Sequence, residues 1–89
     1  MSEIKFSEIG CKEYLYWQSQ NRKIVDKINK LLKSIERDGA NAGEGQPELL
    51  KYGDGEKYSR RINEKDRLVY RVEDGVITVE TCRGHYDDK

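Results

Sequence analysis

The stretch that decides the fold is residues 57–83, KYSRRINEKDRLVYRVEDGVITVETCR. It contains three runs in which apolar and polar residues alternate: 57–62, 67–72 and 76–83. A period of two is typical of strands that bury one face. The runs are separated by residues that favour tight turns, Asn63 to Asp66 and Glu73 to Gly75. Because connections this short join antiparallel neighbours, the stretch predicts three antiparallel strands.

Two further strands and two helices are predicted upstream. Residues 48–52, after the only proline, and residues 3–7 have the alternation of short strands. A helix over residues 9–19 begins near Ser7, and these side chains lie at helical spacing or beside it: Cys11, Tyr14, Leu15, Gln18, Tyr16 and Trp17. The second helix ends at Gly39, and its apolar stripe is the stronger: Ile24, Val25, Ile28, Leu31, Leu32 and Ile35.

The predicted order is therefore β-α-α-β-β-β-β in a single α+β domain spanning residues 1–89. Both helices are expected to cover one face of a mostly antiparallel sheet and to leave the other face open. On the strand over residues 67–72, alternate side chains point to opposite faces. Leu68, Tyr70 and Val72 are assigned to the core, and Arg67, Val69 and Arg71 to the open face.

The charge distribution favours a local rather than a global interaction with a polyanion. The net charge is zero, but residues 51–71 contain seven basic and four acidic side chains. A basic patch is what a selective nucleic-acid ligand requires. The alternative is a solvated surface crossed by weak salt bridges, which is the common explanation of charged runs.

The remaining composition predicts a cytoplasmic protein without a metal or other cofactor. Cys11 and Cys82 lie far apart and form no CxxC motif, so two reduced thiols are expected. No apolar run approaches the ~18 residues of a membrane span. His85 is the only histidine, which leaves few side chains able to bind a transition metal.

The carboxyl-terminal half contains the residue types that metal-free RNA cleavage needs. A base must remove the proton of a 2′-hydroxyl, an acid must protonate the 5′-oxygen, and cations must stabilise the phosphorane. Glu48 is a candidate base and His85 a candidate acid, because the reference pKa of histidine leaves a protonated fraction at neutral pH. Lys51, Arg61 and Arg67 are candidate cations.

Each of these residues also has a purely structural interpretation. A lone histidine is usually a solvated surface group, and a glutamate at the start of a strand is usually a surface carboxylate. Arg60 and Arg61 could protect an exposed sheet edge. Tyr86 could be a half-buried aromatic at the end of a strand.

Five motifs in the order and spacing of one family favour the catalytic interpretation. Together they resemble the YoeB/Txe branch of the RelE-like toxins, over nearly the whole chain. The motifs are Tyr14-Leu15-Tyr16-Trp17-Gln18, Pro47-Glu48-x-Leu50-Lys51, Ser59-Arg60-Arg61-Ile62, Arg67-Leu68-Val69-Tyr70 and Cys82-Arg83-x-His85-Tyr86. Three departures from the pattern are Lys57, where an aromatic is usual, the turn Gly53-Asp54-Gly55, which has smaller side chains than the family's, and the additional residues 87–89.

The resemblance implies a RelE-like fold and metal-independent cleavage of mRNA in the ribosomal A site through a 2′,3′-cyclic phosphate. It assigns the general base to Glu48, the general acid to His85 and the transition-state arginine to Arg67. RNA or ribosome binding falls on these residues: Lys51, Arg60, Arg61 and Tyr86. Family members are bacterial toxins that are blocked by a partly disordered antitoxin of the YefM/Axe type, and they can form homodimers.

Two other functions stay open at this point. A non-catalytic RNA- or ribosome-binding module would use the cations but would not need both Glu48 and His85. A nuclease that acts on free RNA is also compatible with the sequence. The ribosome-dependent interpretation is favoured because the active site is incomplete unless the ribosome positions the RNA.

Overall fold

The computed structural model describes residues 3–51 and 56–84. The predicted order of elements is confirmed, and most boundaries fall within two residues of the predicted ones. The elements are β1 (Glu3–Phe6), α1 (Glu8–Gln20), α2 (Arg22–Asp38), β2 (Glu48–Lys51), β3 (Glu56–Arg61), β4 (Arg67–Glu73) and β5 (Val76–Thr81). Tyr52 and the turn predicted at residues 53–55 lie outside the described residues.

The strands form one sheet in the order β1-β5-β4-β3-β2. β2 to β5 pair antiparallel with their neighbours, as the short connections require. β1 pairs parallel with β5. The two helices follow β1 and carry the chain to the opposite edge of the sheet, where β2 begins. The α+β class with a mostly antiparallel sheet is therefore confirmed.

The core lies between the helices and one face of the sheet. α2 contributes the predicted stripe, of which Val25, Ile28, Leu31, Leu32 and Ile35 are buried. The sheet contributes side chains at alternate positions of β3, β4 and β5: Tyr58, Leu68, Tyr70, Ile77 and Val79. No helix in the described part of the chain is long and apolar enough to cross a membrane.

Side-chain caps fix the helix boundaries. The Ser7 hydroxyl accepts a hydrogen bond from the Gly10 amide at 3.0 Å, which satisfies one of the free N–H groups at the start of α1. Asn21 ends α1 through its own amide and begins α2 by accepting from the Lys23 amide at 3.1 Å. Gly39 ends α2 at the predicted position, and its φ of 97° and ψ of 170° form an extended rather than a left-handed helical cap.

The buried face of α1 differs from the predicted stripe. Gly10 and Trp17 are buried, whereas Leu15 and Cys11 are exposed. A Cβ at position 10 would lie 2.5 Å from the carbonyl oxygen of Val79, so glycine allows α1 to approach β5 closely. The close packing of Gly10 against β5 therefore decides which face of α1 is turned toward the sheet. The number of apolar residues on each face does not.

Arg60 is a correction to the predicted RNA-binding set. Its side chain is 0% exposed and points to the helix face between Tyr58 and Ile62. Nε donates to the Tyr70 hydroxyl at 2.8 Å, and the two terminal nitrogens donate to oxygens of α2 and of residues 39–44. A guanidinium enclosed in this way cannot contact RNA or protect a sheet edge.

The loop between α2 and β2 packs tightly against this buried arginine. Gly43 has φ of 98°, and a Cβ there would overlap the Ser34 hydroxyl and lie 2.5 Å from Oδ2 of Asp38. Gly39 has nearly the same φ of 97°, but no atom would lie within 4 Å of its Cβ. The two glycines therefore separate backbone strain from packing.

We expect Gly43→Ala to lower the free energy of unfolding clearly more than Gly39→Ala does. Both variants carry the cost of an alanine at positive φ, of order ~1–3 kcal/mol, and only Gly43→Ala adds an overpacking cost of about 1–3 kcal/mol. Urea denaturation of both variants measures the difference. Equal losses would mean that the loop yields without cost at Ser34.

Candidate active site

A cleft of about 330 Å³ lies at the carboxyl-terminal end of β3. It combines a carboxylate, two guanidiniums and a hydroxyl with the end of the Gly-rich loop. The lining residues are Gln46, Pro47, Glu48, Ser59, Arg61 and Arg67. Three of the seven predicted site residues are thus brought together: Glu48, Arg61 and Arg67.

Strand register explains why these side chains meet. Glu48 on β2 is the cross-strand partner of Ser59, and Arg61 on β3 is the partner of Arg67 on β4. Cross-strand partners share a face of the sheet, and positions 59 and 61 alternate with the buried position 60. The cleft therefore opens on the face opposite the helices.

The turn between β3 and β4 holds the Arg67 guanidinium in place. Nη1 donates to the carbonyl oxygens of Asn63 at 2.7 Å, Asp66 at 3.2 Å and Glu64 at 3.3 Å. The turn itself is fixed because the Asn63 side chain accepts from the Asp66 amide at 2.7 Å. Among the described residues, the side-chain hydrogen bonds of Arg67 are all made by Nη1.

The two guanidiniums of the cleft form a like-charge pair. Arg61 is exposed and Arg67 is partly exposed, and they lie directly opposite each other on neighbouring strands. Like charges opposite each other destabilise a sheet. An anion bound between them would offset that repulsion, and arginine binds phosphate oxygens in a bidentate geometry.

The chain segment that leads to His85 is attached to Arg67. The Arg67 amide donates to the Gly84 carbonyl oxygen at 2.9 Å, and the Gly84 amide donates to Oδ1 of Asp66 at 2.7 Å. His85 follows Gly84 in the sequence. His85 and Tyr86 themselves lie outside the described residues, and their roles stay predictions.

α1 anchors the same segment from the other side. The Trp17 indole donates to the Cys82 carbonyl oxygen at 2.9 Å, and the Cys82 amide donates to the Glu13 carboxylate at 2.7 Å. The Arg83 guanidinium lies 3.9 Å from the ring centroid of Tyr16. Burial, with a smaller contribution from nearby carboxylates, raises the pKa of the Cys82 thiol to about 12, so it remains protonated.

The predicted position of Lys51 is tested only in part. Lys51 ends β2 opposite Lys57, past an irregularity in the β2–β3 pairing. Its side chain lies outside the described part of the structure, so its RNA contact stays a prediction. In residues 3–51 and 56–84, no three His, Cys, Asp or Glu side chains lie close enough to hold a metal ion.

Three lining residues were missed by sequence reasoning. Ser59 is buried at the bottom of the open face, and Gln46 and Pro47 form the wall that precedes Glu48. Gln46 has φ of 53°, a left-handed conformation that is rare for residues other than glycine. The only proline, directly before the candidate base, was the available signal for this wall.

A second charged cluster lies on the open face at the other end of β3. Glu80 accepts from Nζ of Lys57 and from Nε of Arg71, both at 3.0 Å. Burial alone would raise the pKa of Glu80, but the hydrogen bonds from the two cations hold it below its ordinary value. The predicted open-face position of Arg71 is confirmed, and Val69 between Arg67 and Arg71 is only 3% exposed.

We expect Glu80→Gln to weaken the dependence of stability on pH in acid. The folded-state pKa of Glu80 lies below the unfolded one, so its contribution is present above the unfolded pKa of about 4.3. That contribution is lost as the pH falls through the folded value. Urea denaturation between neutral pH and pH 3 should show a wild-type advantage of about 1 kcal/mol that disappears in acid. A constant difference across this range would contradict the ion-pair origin.

Comparison with known proteins assigns the chain to a family. Residues 6–86 match the family model described as YoeB-like toxin of bacterial type II toxin-antitoxin system. The chain belongs to this YoeB-like toxin family. Toxin YoeB of Escherichia coli (strain K12) is 44% identical over 84 residues, which is 94% of this chain and 99% of the relative.

Solved structures support the same family and fold. The YoeB dimer from Staphylococcus aureus has a TM-score of 0.87 and 49% identity, and covers 96% of this chain and 98% of its own. The YoeB–YefM complex from Staphylococcus aureus has a TM-score of 0.84 and 49% identity, covering 97% and 99%. An archaeal RelE–RelB complex from Pyrococcus horikoshii OT3 shares the fold alone, with a TM-score of 0.75, 19% identity and 93% coverage of both chains. The predicted RelE-like fold is thus confirmed for this YoeB-like toxin.

Proposed function

We propose that this YoeB-like toxin is a ribosome-dependent endoribonuclease that cleaves mRNA in the A site without a metal ion. The observation that carries the proposal is the cleft in which Glu48 shares one surface with Arg61 and Arg67. A site built only to bind phosphate would not place a carboxylate there, because it repels the phosphate. A carboxylate beside two cations suits the removal of a proton next to a phosphate that gains charge.

In the proposed reaction, Glu48 takes the proton of the 2′-hydroxyl as its oxygen attacks the adjacent phosphorus. Arg67 stabilises the phosphorane, and the turn that holds its Nη1 keeps the guanidinium oriented for that task. His85 gives its proton to the departing 5′-oxygen. The products are a 2′,3′-cyclic phosphate and a 5′-hydroxyl. Lys51 and Arg61 bind the RNA backbone, and Tyr86 stacks on a base.

The open shape of the site supports the proposed dependence on the ribosome. The cleft lies on an open sheet face, and a surface of this kind cannot by itself hold a flexible RNA strand in line for attack. A ribosome that already fixes the mRNA would supply this ordering. The proposal therefore places the toxin in the bacterial cytoplasm, where translating ribosomes are found.

We further propose that a YefM/Axe-like, partly disordered antitoxin binds this chain and blocks the cleft. The support is the YoeB–YefM complex from Staphylococcus aureus, at 49% identity over nearly the whole chain. The YoeB dimer from the same organism supports a homodimer of this chain as well. Both the antitoxin and the ribosome would have to approach the same open face, so their binding should be mutually exclusive.

The second candidate is a non-catalytic RNA- or ribosome-binding module. The like-charge pair of Arg61 and Arg67 would serve it equally well. It would have no use for the carboxylate of Glu48 in the same cleft. Primer extension on an mRNA translated in vitro, with and without the protein, distinguishes the two candidates by the appearance of new 5′ ends. The same assay on naked mRNA tests cleavage of free RNA.

We expect Glu48→Gln and His85→Gln to slow single-turnover cleavage by roughly 10²–10⁴-fold, the usual contribution of a positioned base or acid. Binding to programmed ribosomes should survive, because neither side chain is proposed to attract phosphate. Arg61→Ala is the contrasting variant and should weaken binding as well as cleavage. Loss of binding in Glu48→Gln equal to that in Arg61→Ala would assign Glu48 a structural task.

Arg67→Lys should be poorly tolerated although it keeps the positive charge. Lysine lacks the planar group with which Arg67 contacts the turn carbonyls and the phosphorane together. We expect single-turnover cleavage to fall by about 10²-fold or more while ribosome binding changes little. Full activity of the lysine variant would reduce Arg67 to a source of positive potential.

A further inference from the structure

The buried guanidinium of Arg60 is fully solvated by neutral oxygens of the protein. Its bonds are to the Tyr70 hydroxyl at 2.8 Å and the Ser34 hydroxyl at 3.1 Å. The others are to carbonyl oxygens of Glu44 at 2.8 Å, Gly39 at 2.8 Å, Ala42 at 2.6 Å and Ala40 at 3.4 Å. The dipoles of these oxygens offset part of the cost of burying the charge, and the Asp38 carboxylate, which accepts from Ser34, adds an electrostatic attraction.

Four of these acceptors belong to one short segment, residues 39–44. The segment has little regular structure and two glycines with positive φ, so its own backbone provides few reasons for a single path. Around Arg60 its carbonyl oxygens converge on one cation. The Ser34 hydroxyl completes the arrangement, because it accepts from the Glu44 amide at 2.9 Å and donates to Asp38 at 3.0 Å.

The ordered segment continues directly into the cleft. The next carbonyl, of Gly45, accepts from the Arg61 amide at 2.7 Å. A Cβ at Gly45 would lie 2.7 Å from Cδ2 of Leu31, so this residue is held between α2 and the sheet. Gln46, Pro47 and Glu48 follow in sequence and line the cleft.

We propose that Arg60 is a positioning residue for Glu48. On the helix face Arg60 fixes residues 39–44. On the open face its neighbour Arg61 lines the cleft to which that segment leads. The distance between the base and the two guanidiniums then depends on a side chain that never meets the RNA. This inference rests on the proposed function, since it gives Glu48 a chemical task. Displacement of a catalytic group by about 1 Å can cost on the order of 10²-fold in rate.

The test compares Arg60→Lys and Arg60→Met with the wild-type chain in steady-state cleavage on programmed ribosomes. We expect kcat to fall by about 10²-fold in Arg60→Met, with KM near the wild-type value. Arg60→Lys should recover part of kcat, because an ammonium can still bind some of the carbonyls. A loss confined to KM would return Arg60 to the RNA-binding role and overturn the proposal.

Val25→Ala controls for lost stability, since Val25 is buried in the first half of α2 and provides none of the oxygens that bind Arg60. All variants are assayed below their melting transitions. We expect Val25→Ala to retain kcat. An equal fall of kcat in Val25→Ala and Arg60→Met would show that general loosening of the fold, rather than positioning, is responsible.

Amide hydrogen exchange at Glu44 and Arg61 gives a readout that does not depend on RNA cleavage. The Glu44 amide bonds to the Ser34 hydroxyl and the Arg61 amide to the Gly45 carbonyl oxygen, so their exchange should accelerate in Arg60→Met and not in Val25→Ala. Unchanged exchange overturns the inference whatever the cleavage result. If the wild-type chain cleaves no mRNA, the proposed function fails, and Glu48 has no catalytic position to be set. The exchange rates then show separately whether Arg60 orders the segment.

Discussion

A guanidinium without water around it must find other oxygens, and the need to solvate Arg60 shapes much of this molecule. The oxygens come from α2, from β4 and above all from the loop that joins α2 to β2. Burial of an uncompensated charge costs several kcal/mol, so alternative paths of this loop are strongly disfavoured. The helix layer, the sheet and the loop are thereby held together by one side chain.

The cleft is built at some expense to stability. Arg61 and Arg67 repel each other across the β3–β4 pair, and Gln46 adopts a backbone conformation that costs a non-glycine residue of order 1–3 kcal/mol. Neither feature would persist in a sheet selected for stability alone. Both are tolerated because the opposite face is well packed and because turn carbonyls orient Arg67. The strained residues that line the cleft thus depend on the well-packed core on the other face of the sheet.

The fold could be predicted from the spacing of apolar residues, because the strands have a strong alternating pattern and α2 a strong helical one. The cleft could be predicted only in part. The register between β2 and β3 brings Glu48 to the same cleft as Arg61, and sequence patterns do not specify that register. The error at Arg60 was avoidable. Tyr58 and Ile62 are apolar at positions two residues to either side, so a period of two places Arg60 on the core face. The residue type outweighed the pattern. The predicted roles of His85 and Tyr86 rest on the family resemblance alone.

The parallel pairing of β1 with β5 affects how the chain folds during synthesis. Glu3 pairs with Val76, and the Ser7 amide bonds to the Val79 carbonyl oxygen, so β1 and the start of α1 leave the ribosome long before their partner exists. Contacts of such wide sequence separation form late. Until β5 and Cys82 have been synthesised, the Trp17 indole lacks its hydrogen-bond acceptor and the apolar side of α1 remains exposed to water. Native structure, and any activity that depends on it, is therefore withheld from the growing nascent chain.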